Sequence, residues 1–472
     1  MDIKETAGEA GHFGATPESV TVPAHHDLAQ LTRRYGFRDG ACQAITQGCG
    51  EQYLSAFALL LHAGSFQLSI LSALPQLVGT AAQIASIKLL QWFPDRTALI
   101  RAGTIGQAVS WLPIVMLPLL FPEIGGWLLI AGASLYFACN HFTTPTWNSF
   151  IADHLDEHAR GAYFARRAQI IASISFLALC AAGGLLSLWQ HIPAAWVGFV
   201  FIFLVAGAAR IASLFALSRI PRTHPTPHGE GRRGFRSFLA ETSPNYRRFL
   251  LFSGLMHMSV MVAGPFFVVY MLRDLHLSYF NYGTWLAAGI LGQLVSLQAW
   301  GRIGDRFGNK ALLSVTGLMV PFLPMMYLIS TDTSFLCMVN FFGGVTWGGL
   351  ALGLQNYVFD AARSEDRGKA VAVYSTINAS GWMVGALAGS LLVETLPARM
   401  EAELFSFQLV SNLPLVFLLS GIFRLGVSAG LLNSFGEARR TERFRRRHLV
   451  RELPFLKTIS HFLIGPASRT EK

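Results

Sequence analysis

Apolar residues fall along this chain in long runs broken by short charged stretches, each run close to the roughly 20 residues that an α-helix needs to cross a bilayer. Their polar, glycine and proline punctuation predicts twelve helices, near 41–62, 67–89, 97–119, 126–150, 163–188 and 195–218, then 249–272, 279–300, 310–329, 334–359, 369–394 and 405–432. Between the sixth and the seventh, 219–248 contains Pro221, Pro225, Pro227, Gly229, Gly231 and Gly234 and reads as a linker. The pattern predicts an all-α polytopic membrane protein. Its parts are a cytosolic N-terminal segment (1–40), two six-helix bundles (41–218 and 249–432) around a cytosolic linker (219–248), and a basic cytosolic tail (433–472).

Composition agrees, with 52% hydrophobic and 14% charged residues, where soluble proteins carry roughly 25% charged. The net charge of +10 does not point to nucleic acid, because the basic residues cluster at the ends of apolar runs, as orientation in a membrane requires. With both termini and the loops after even-numbered helices in the cytosol, 33 of the 37 Lys and Arg fall on that side. Only Arg273 and Arg399 fall outside, and Arg210 and Arg424 lie within helices. Met1 to Asp39 has Glu5, Glu9 and Glu18 and no apolar centre, so no signal peptide is expected. The expectation is an inner-membrane, multi-pass protein with both termini cytosolic. The five cysteines, Cys42, Cys49, Cys139, Cys180 and Cys337, show no metal or disulfide spacing. No metal and no cofactor are expected.

Three features recur in order at nearly one offset. Asp95-Arg96 matches Asp305-Arg306 at 210, Asp153 with Arg160 matches Asp360 with Arg367 at 207, and Gly207 with Arg210 matches Gly421 with Arg424 at 214. The chain therefore reads as two related halves. Between the eighth and ninth helices, Gly301, Asp305, Arg306, Gly308 and Lys310 spell GxxxDRxGxK in an expected charged turn over 300–313. This resembles the signature loop of the major facilitator superfamily of secondary transporters, and with the repeats the resemblance covers about 40–432. It implies two bundles around a central cavity lined mainly by helices 1, 4, 7 and 10, working by alternating access. In the loop, Asp305 is expected to accept bonds from free N–H groups at a neighbouring helix start. The first copy departs from the pattern, with Gln91 and Ala98 where the second has Gly301 and Gly308, so the second is expected to matter more. The Gly-Pro signature of many drug antiporters is also absent from the fifth helix, which has Gly183-Gly184 and no proline.

Polar groups inside apolar helices are costly and normally face the bundle interior. In the first helix Gln43, Gln47, Glu51 and Ser55 recur every four residues as one stripe, and in the fourth Asn140, His141, Thr144, Trp147 and Asn148 share a face. The seventh offers His257 and the tenth Asn340 and Trp347. Glu51, Gln47, Asn140, His141, His257, Asn340 and Trp347 are the candidates for substrate contact or proton coupling, each with packing as its plainer alternative. Arg210 and Arg424 read as structural or snorkelling groups. Gly381, Gly385 and Gly389, with Ala178 and Ala182, form small faces that allow close backbone approach; the resemblance implies that these helices meet the opposite bundle, the alternative being tight packing without movement. The tail from Arg439 onward, seven arginines followed by an apolar run, suits anionic lipid as well as it suits a topology-fixing tail. The expected function is secondary active transport of a small solute, coupled to protons. The rivals are a sensor or assembly protein acting through the tail and, with no phosphate loop or nucleophile motif and so no catalytic residue to assign, a membrane-embedded enzyme.

Overall fold

The computed structural model describes residues 25–89, 95–155, 157–190, 194–220, 242–362, 366–397, 400–404, 407–409 and 411–439. Most of the expected N-terminal segment, the linker and the basic tail, with its lipid-binding reading, lies outside them. The first half runs α1 (His25–Ile45), a π turn (Thr46–Gly50), a 3-10 turn (Glu51–Tyr53), α2 (Leu54–Leu60), α3 (Ser65–Leu89), α4 (Arg96–Leu120), α5 (Gly125–Asp153), α6 (Glu157–Trp189) and α7 (Ala195–Ser218). The second runs α8 (Pro244–Met261), α9 (Phe267–Val269), α10 (Tyr279–Phe307), α11 (Asn309–Met319), α12 (Phe322–Met325), α13 (Thr333–Ala361), α14 (Arg367–Thr395), β1 (Met400–Leu404), β2 (Phe407–Leu409) and α15 (Leu413–Leu431). Among the described residues, ten helices are long and apolar enough to cross a membrane. The continuous stretch from α1 to α2, and α10, are of membrane length as well.

Several boundaries differ from the apolar runs. The first helix begins at His25 instead of near 41, because Arg33, Arg34 and Arg38 interrupt the hydropathy without interrupting the backbone. The seventh begins at Pro244 instead of near 249, where the Ser243 side chain caps the helix by accepting from the Tyr246 N–H at 3.2 Å. The expected charged turn at 300–313 is mostly helix. α10 continues to Phe307, and Gly308 alone, at φ 90°, breaks the path before α11, a conformation that glycine adopts at little cost. The last helix begins at Leu413 instead of near 405, since Met400–Leu404 and Phe407–Leu409 pair as antiparallel strands. Pro414 suits the first turn of α15, and the Asn412 amide ties that start to the end of α14 by donating to the Val393 carbonyl at 2.8 Å.

Within the first half α1 packs on α6 and α7, α3 on α5, and α4 on α5 and α7; within the second α8 packs on α14 and α15, and α13 on α10 and α11. The halves meet along α3 with α14 and α6 with α10. At the latter contact, a Cβ on Gly183 would lie 2.7 Å from the Tyr53 hydroxyl and 3.4 Å from the Gly283 Cα. A glycine is needed there for the backbones to approach. The stripe at Gly381, Gly385 and Gly389 instead lies against the Gly254, Met258 and Val262 carbonyls of α8 and its C-terminal end, in its own half, and Ala178 packs on Gly48. Spacing shows that a backbone can approach closely, but not which neighbour does so. One hydrophobic cluster crosses both halves, joining Tyr53, Phe57 and Leu68 to Phe266, Tyr270 and Tyr282. It sits at the end opposite Gly308.

Candidate functional site

Because α1 starts early, Asp39 lies inside the first half and not in a solvated segment. Its buried carboxylate meets Arg167 Nη2 at 2.8 Å and Arg210 Nη1 at 3.6 Å, and accepts from the Ser213 hydroxyl at 2.6 Å. Arg167 also donates to Gln43 Oε1 at 3.2 Å and stacks over the Trp147 ring at 3.9 Å. Arg210 Nε donates to Gln107 Oε1 at 2.8 Å. Asp39, Gln43, Asn140, Trp147, Arg167 and Arg210 border a polar cavity of about 80 Å³. Two guanidinium groups face one carboxylate there, so hydrogen bonds from neutral groups carry part of the burden of burying charge.

The four-residue stripe of the first helix does not survive folding. The π turn at 46–50 takes an extra residue into one turn and shifts the register, so Gln43 faces Arg167 while Glu51 accepts a 2.6 Å bond from the Tyr136 hydroxyl. Gln47 is partly buried within the same turn. Tyr136 in turn packs on Trp111, their ring centroids 5.0 Å apart. His141 lies against Gly79 of α3, and His257 against its own helix, with Nδ1 2.9 Å from the Ser253 carbonyl and its ring 6.0 Å from that of Trp382. Neither histidine bonds to Glu51 or to the other, so the three titratable candidates are not brought together. Asn340 and Trp347 border a second cavity, in the second half, together with Arg424. No group of three His, Cys, Asp or Glu able to hold a metal ion occurs among the described residues.

The loop residues divide by their bonds. Asp95 caps α4, accepting from the Thr97 and Ala98 N–H groups at 3.0 and 3.1 Å, and Arg96 follows it as the first residue of the helix. Asp305 and Arg306 stand exposed in the last turn of α10, and Gly301 has open space around it. Asp305 does not reach a helix start, contrary to expectation, because the helix carries it away from the break. The anion at the α11 N-terminus is instead Glu437, whose carboxylate accepts from the Lys310 backbone N–H at 2.8 Å, while the Lys310 ammonium donates to the Leu432 carbonyl. Asp360 binds Asn309 at 2.6 Å and Arg439 at 3.1 Å. Thus the segment after α15 straps the ends of α10, α11 and α13. Arg367 is exposed, and the side chains of Asp153 and Arg160 lie outside the described residues.

These bonds set an order of stability. Asp95→Ala removes a helix cap and is expected to lower stability by about 1 kcal/mol, whereas Asp305→Asn should change it by less than about 0.5 kcal/mol. Thermal unfolding of the purified variants measures both, and a larger loss at Asp305 would contradict the assignment of caps.

Sequence reasoning missed Asp39, Arg167 and Glu437, each placed in an end segment or loop by its charge. The available signal was Arg210 itself, an intramembrane cation that requires a counter-charge, with Asp39 standing just before the first apolar run.

The residues 249–467 match the family model of the Major Facilitator Superfamily. Among curated proteins, the chain is 26% identical over 121 residues to Multidrug resistance protein 2 of Bacillus subtilis, covering 26% of this chain and 30% of that protein. It is 25% identical over 130 residues to Quinolone resistance protein NorA of Staphylococcus aureus, covering 28% and 33%. The matched stretch thus spans about a third of those relatives. Among solved structures, the nucleoside transporter NupG aligns with a TM-score of 0.63 at 9% identity, covering 86% of this chain and 98% of that one. A bacterial homologue of the iron transporter ferroportin, in an inward-facing state, aligns at 0.64 and 13%, covering 87% and 99%. The family model thus matches the second half of this chain, and the fold of these solved transporters extends over most of its length.

Proposed function

We propose that the protein moves a small solute across the membrane by alternating access, and that protons drive the movement through Glu51. The observation that carries this reading is the meeting of two repeat-related halves along α3 with α14 and α6 with α10, beneath a hydrophobic seal shared by both. Access from the sealed face requires that cluster to part, and access from the other requires the halves to separate at the basic end. The charge count orients the basic end and both termini toward the cytosol. The named activities of the relatives support transport as the class. Drug resistance, as in the names of the curated relatives, gains no support from α6, where Gly183 serves the contact between halves and no proline follows. Arg210 lies within coulombic reach of Glu51 and binds Asp39, so a proton on Glu51 would alter the charge balance of the cavity beside it.

The test is reconstitution into proteoliposomes with a trapped pH-sensitive dye, screened against a panel of metabolites, sugars, amino acids and drugs. Solute-dependent proton movement supports the reading. Solute movement without protons would remove the coupling alone, and no movement of any solute would favour a sensor or assembly role.

A further inference from the structure

The second half contains a cavity of about 230 Å³ bordered by Phe267, Trp285, Tyr327, Asn340, Trp347 and Arg424. Arg424 is 3% exposed, yet no carboxylate lies within 4.0 Å of it among the described residues. Its repeat counterpart Arg210 has Asp39 at 3.6 Å and Gln107 at 2.8 Å. Arg424 has only the Ser420 hydroxyl at 3.2 Å and the Val320 and Val260 carbonyls, each at 3.4 Å. One of these contacts has a structural cause, since Pro324 has no N–H for the Val320 carbonyl four residues back. A guanidinium has five N–H donors, so two remain after these three bonds. The Tyr327 hydroxyl accepts from Trp285 Nε1 at 3.0 Å, which leaves its own proton to donate.

The repeat explains why the space is there. Gly264, Gly343 and Pro324 stand at offsets of 213, 207 and 213 from Glu51, Tyr136 and Trp111, inside the range of the other repeated pairs. In the first half those three side chains fill the interior, with Glu51 bonded to Tyr136 and Tyr136 packed on Trp111. In the second half two glycines and a proline leave the volume open, and Arg424, which borders it, has among the described residues no carboxylate in place of the Asp39 that pairs Arg210. A buried charge is normally paired, and here the missing partner and the missing volume coincide.

We propose that this cavity binds a small planar organic anion, an aromatic monocarboxylate, with Arg424 and Tyr327 gripping the carboxylate and the rings of Phe267, Trp285 and Trp347 holding the body. An arginine fork matches a carboxylate in plane, and aromatic faces suit a flat ring. The volume falls below the roughly 300 Å³ at which pockets for drug-sized ligands begin, which selects a ligand of benzoate or naphthoate size. The site lies within one half, and its occupancy is read without any flux, so it stands apart from the transport reading.

The experiment is isothermal titration calorimetry on the full chain in lipid nanodiscs, with benzoate and 1-naphthoate as probes and benzamide as the uncharged isostere. At least one of the two carboxylates is expected to bind more tightly than about 1 mM, and benzoate at least tenfold better than benzamide. Arg424→Lys, which keeps the charge but loses the fork, should weaken binding at least tenfold. Because that variant can also disturb the Val320 contact, Gly343→Leu is the second arm. A Cβ there meets only Asn340 Oδ1, at 3.6 Å, so the side chain enters the cavity with Arg424 intact. Loss of binding in Gly343→Leu, with the wild-type melting temperature retained, supports the site. Equal affinity for benzoate and benzamide, unchanged binding in Gly343→Leu, or no binding of either carboxylate overturns it.

Discussion

Asp39→Asn is expected to destabilise the protein by about 3–5 kcal/mol, the usual loss when one partner of a buried ion pair is removed and the other is left uncompensated. Here a single carboxylate serves two guanidinium groups, Arg167 at 2.8 Å and Arg210 at 3.6 Å, and all three side chains are at most 11% exposed. Asparagine keeps the shape and can still accept from Ser213, so the loss reports the charge. Arg167→Gln should cost less, because Asp39 then retains Arg210 and Ser213. In the double variant Asp39→Asn with Arg210→Gln part of the stability should return, since one stranded cation is gone. Unfolding midpoints in detergent provide the comparison. Wild-type stability in Asp39→Asn, or a greater loss in Arg167→Gln, would contradict the paired arrangement.

Glu51→Gln should abolish accumulation driven by a pH gradient while leaving exchange of solute across the membrane intact. Glutamine still accepts from the Tyr136 hydroxyl, now at 2.6 Å from Glu51, but cannot bind and release a proton. For one proton per solute, each pH unit supports about a tenfold concentration ratio, so the expected change is from that ratio to equality. The solute is whichever one moves in wild-type proteoliposomes. PH-driven accumulation at the wild-type level in this variant would remove Glu51 from the coupling. Loss of folded protein would identify the bond to Tyr136 as a clamp between the first helix and α5.

The sequence made the two-fold repetition legible because it is written in charged pairs at helix ends, which survive as text. The candidate site was less legible, for identifiable reasons. A π turn has no signature in a pattern of apolar spacing, so the stripe from Gln43 to Ser55 looked continuous where the backbone rotates. Arg167 was counted as a cation at a helix end, although the fold turns it inward onto Asp39 and Trp147. The role expected of Asp305 passed to Glu437, which is distant in sequence and adjacent only after α15 returns to the basic end. Arg424 looked like a duplicate of Arg210, and only the packing around each distinguishes a paired cation from an unpaired one.

Alternating access itself is tested most directly by distances across the two ends of the protein. With the five native cysteines replaced, spin labels at Gly64 and Ser334 report the end sealed by the hydrophobic cluster, and labels at Ala98 and Gly368 report the basic end; all four positions are exposed or open. Double electron–electron resonance in nanodiscs, between acidic and neutral pH and with transported solute added, should give two populations for each pair. They should move in opposition, the first pair lengthening as the second shortens. A single unchanging distance at both ends under every condition would contradict the account.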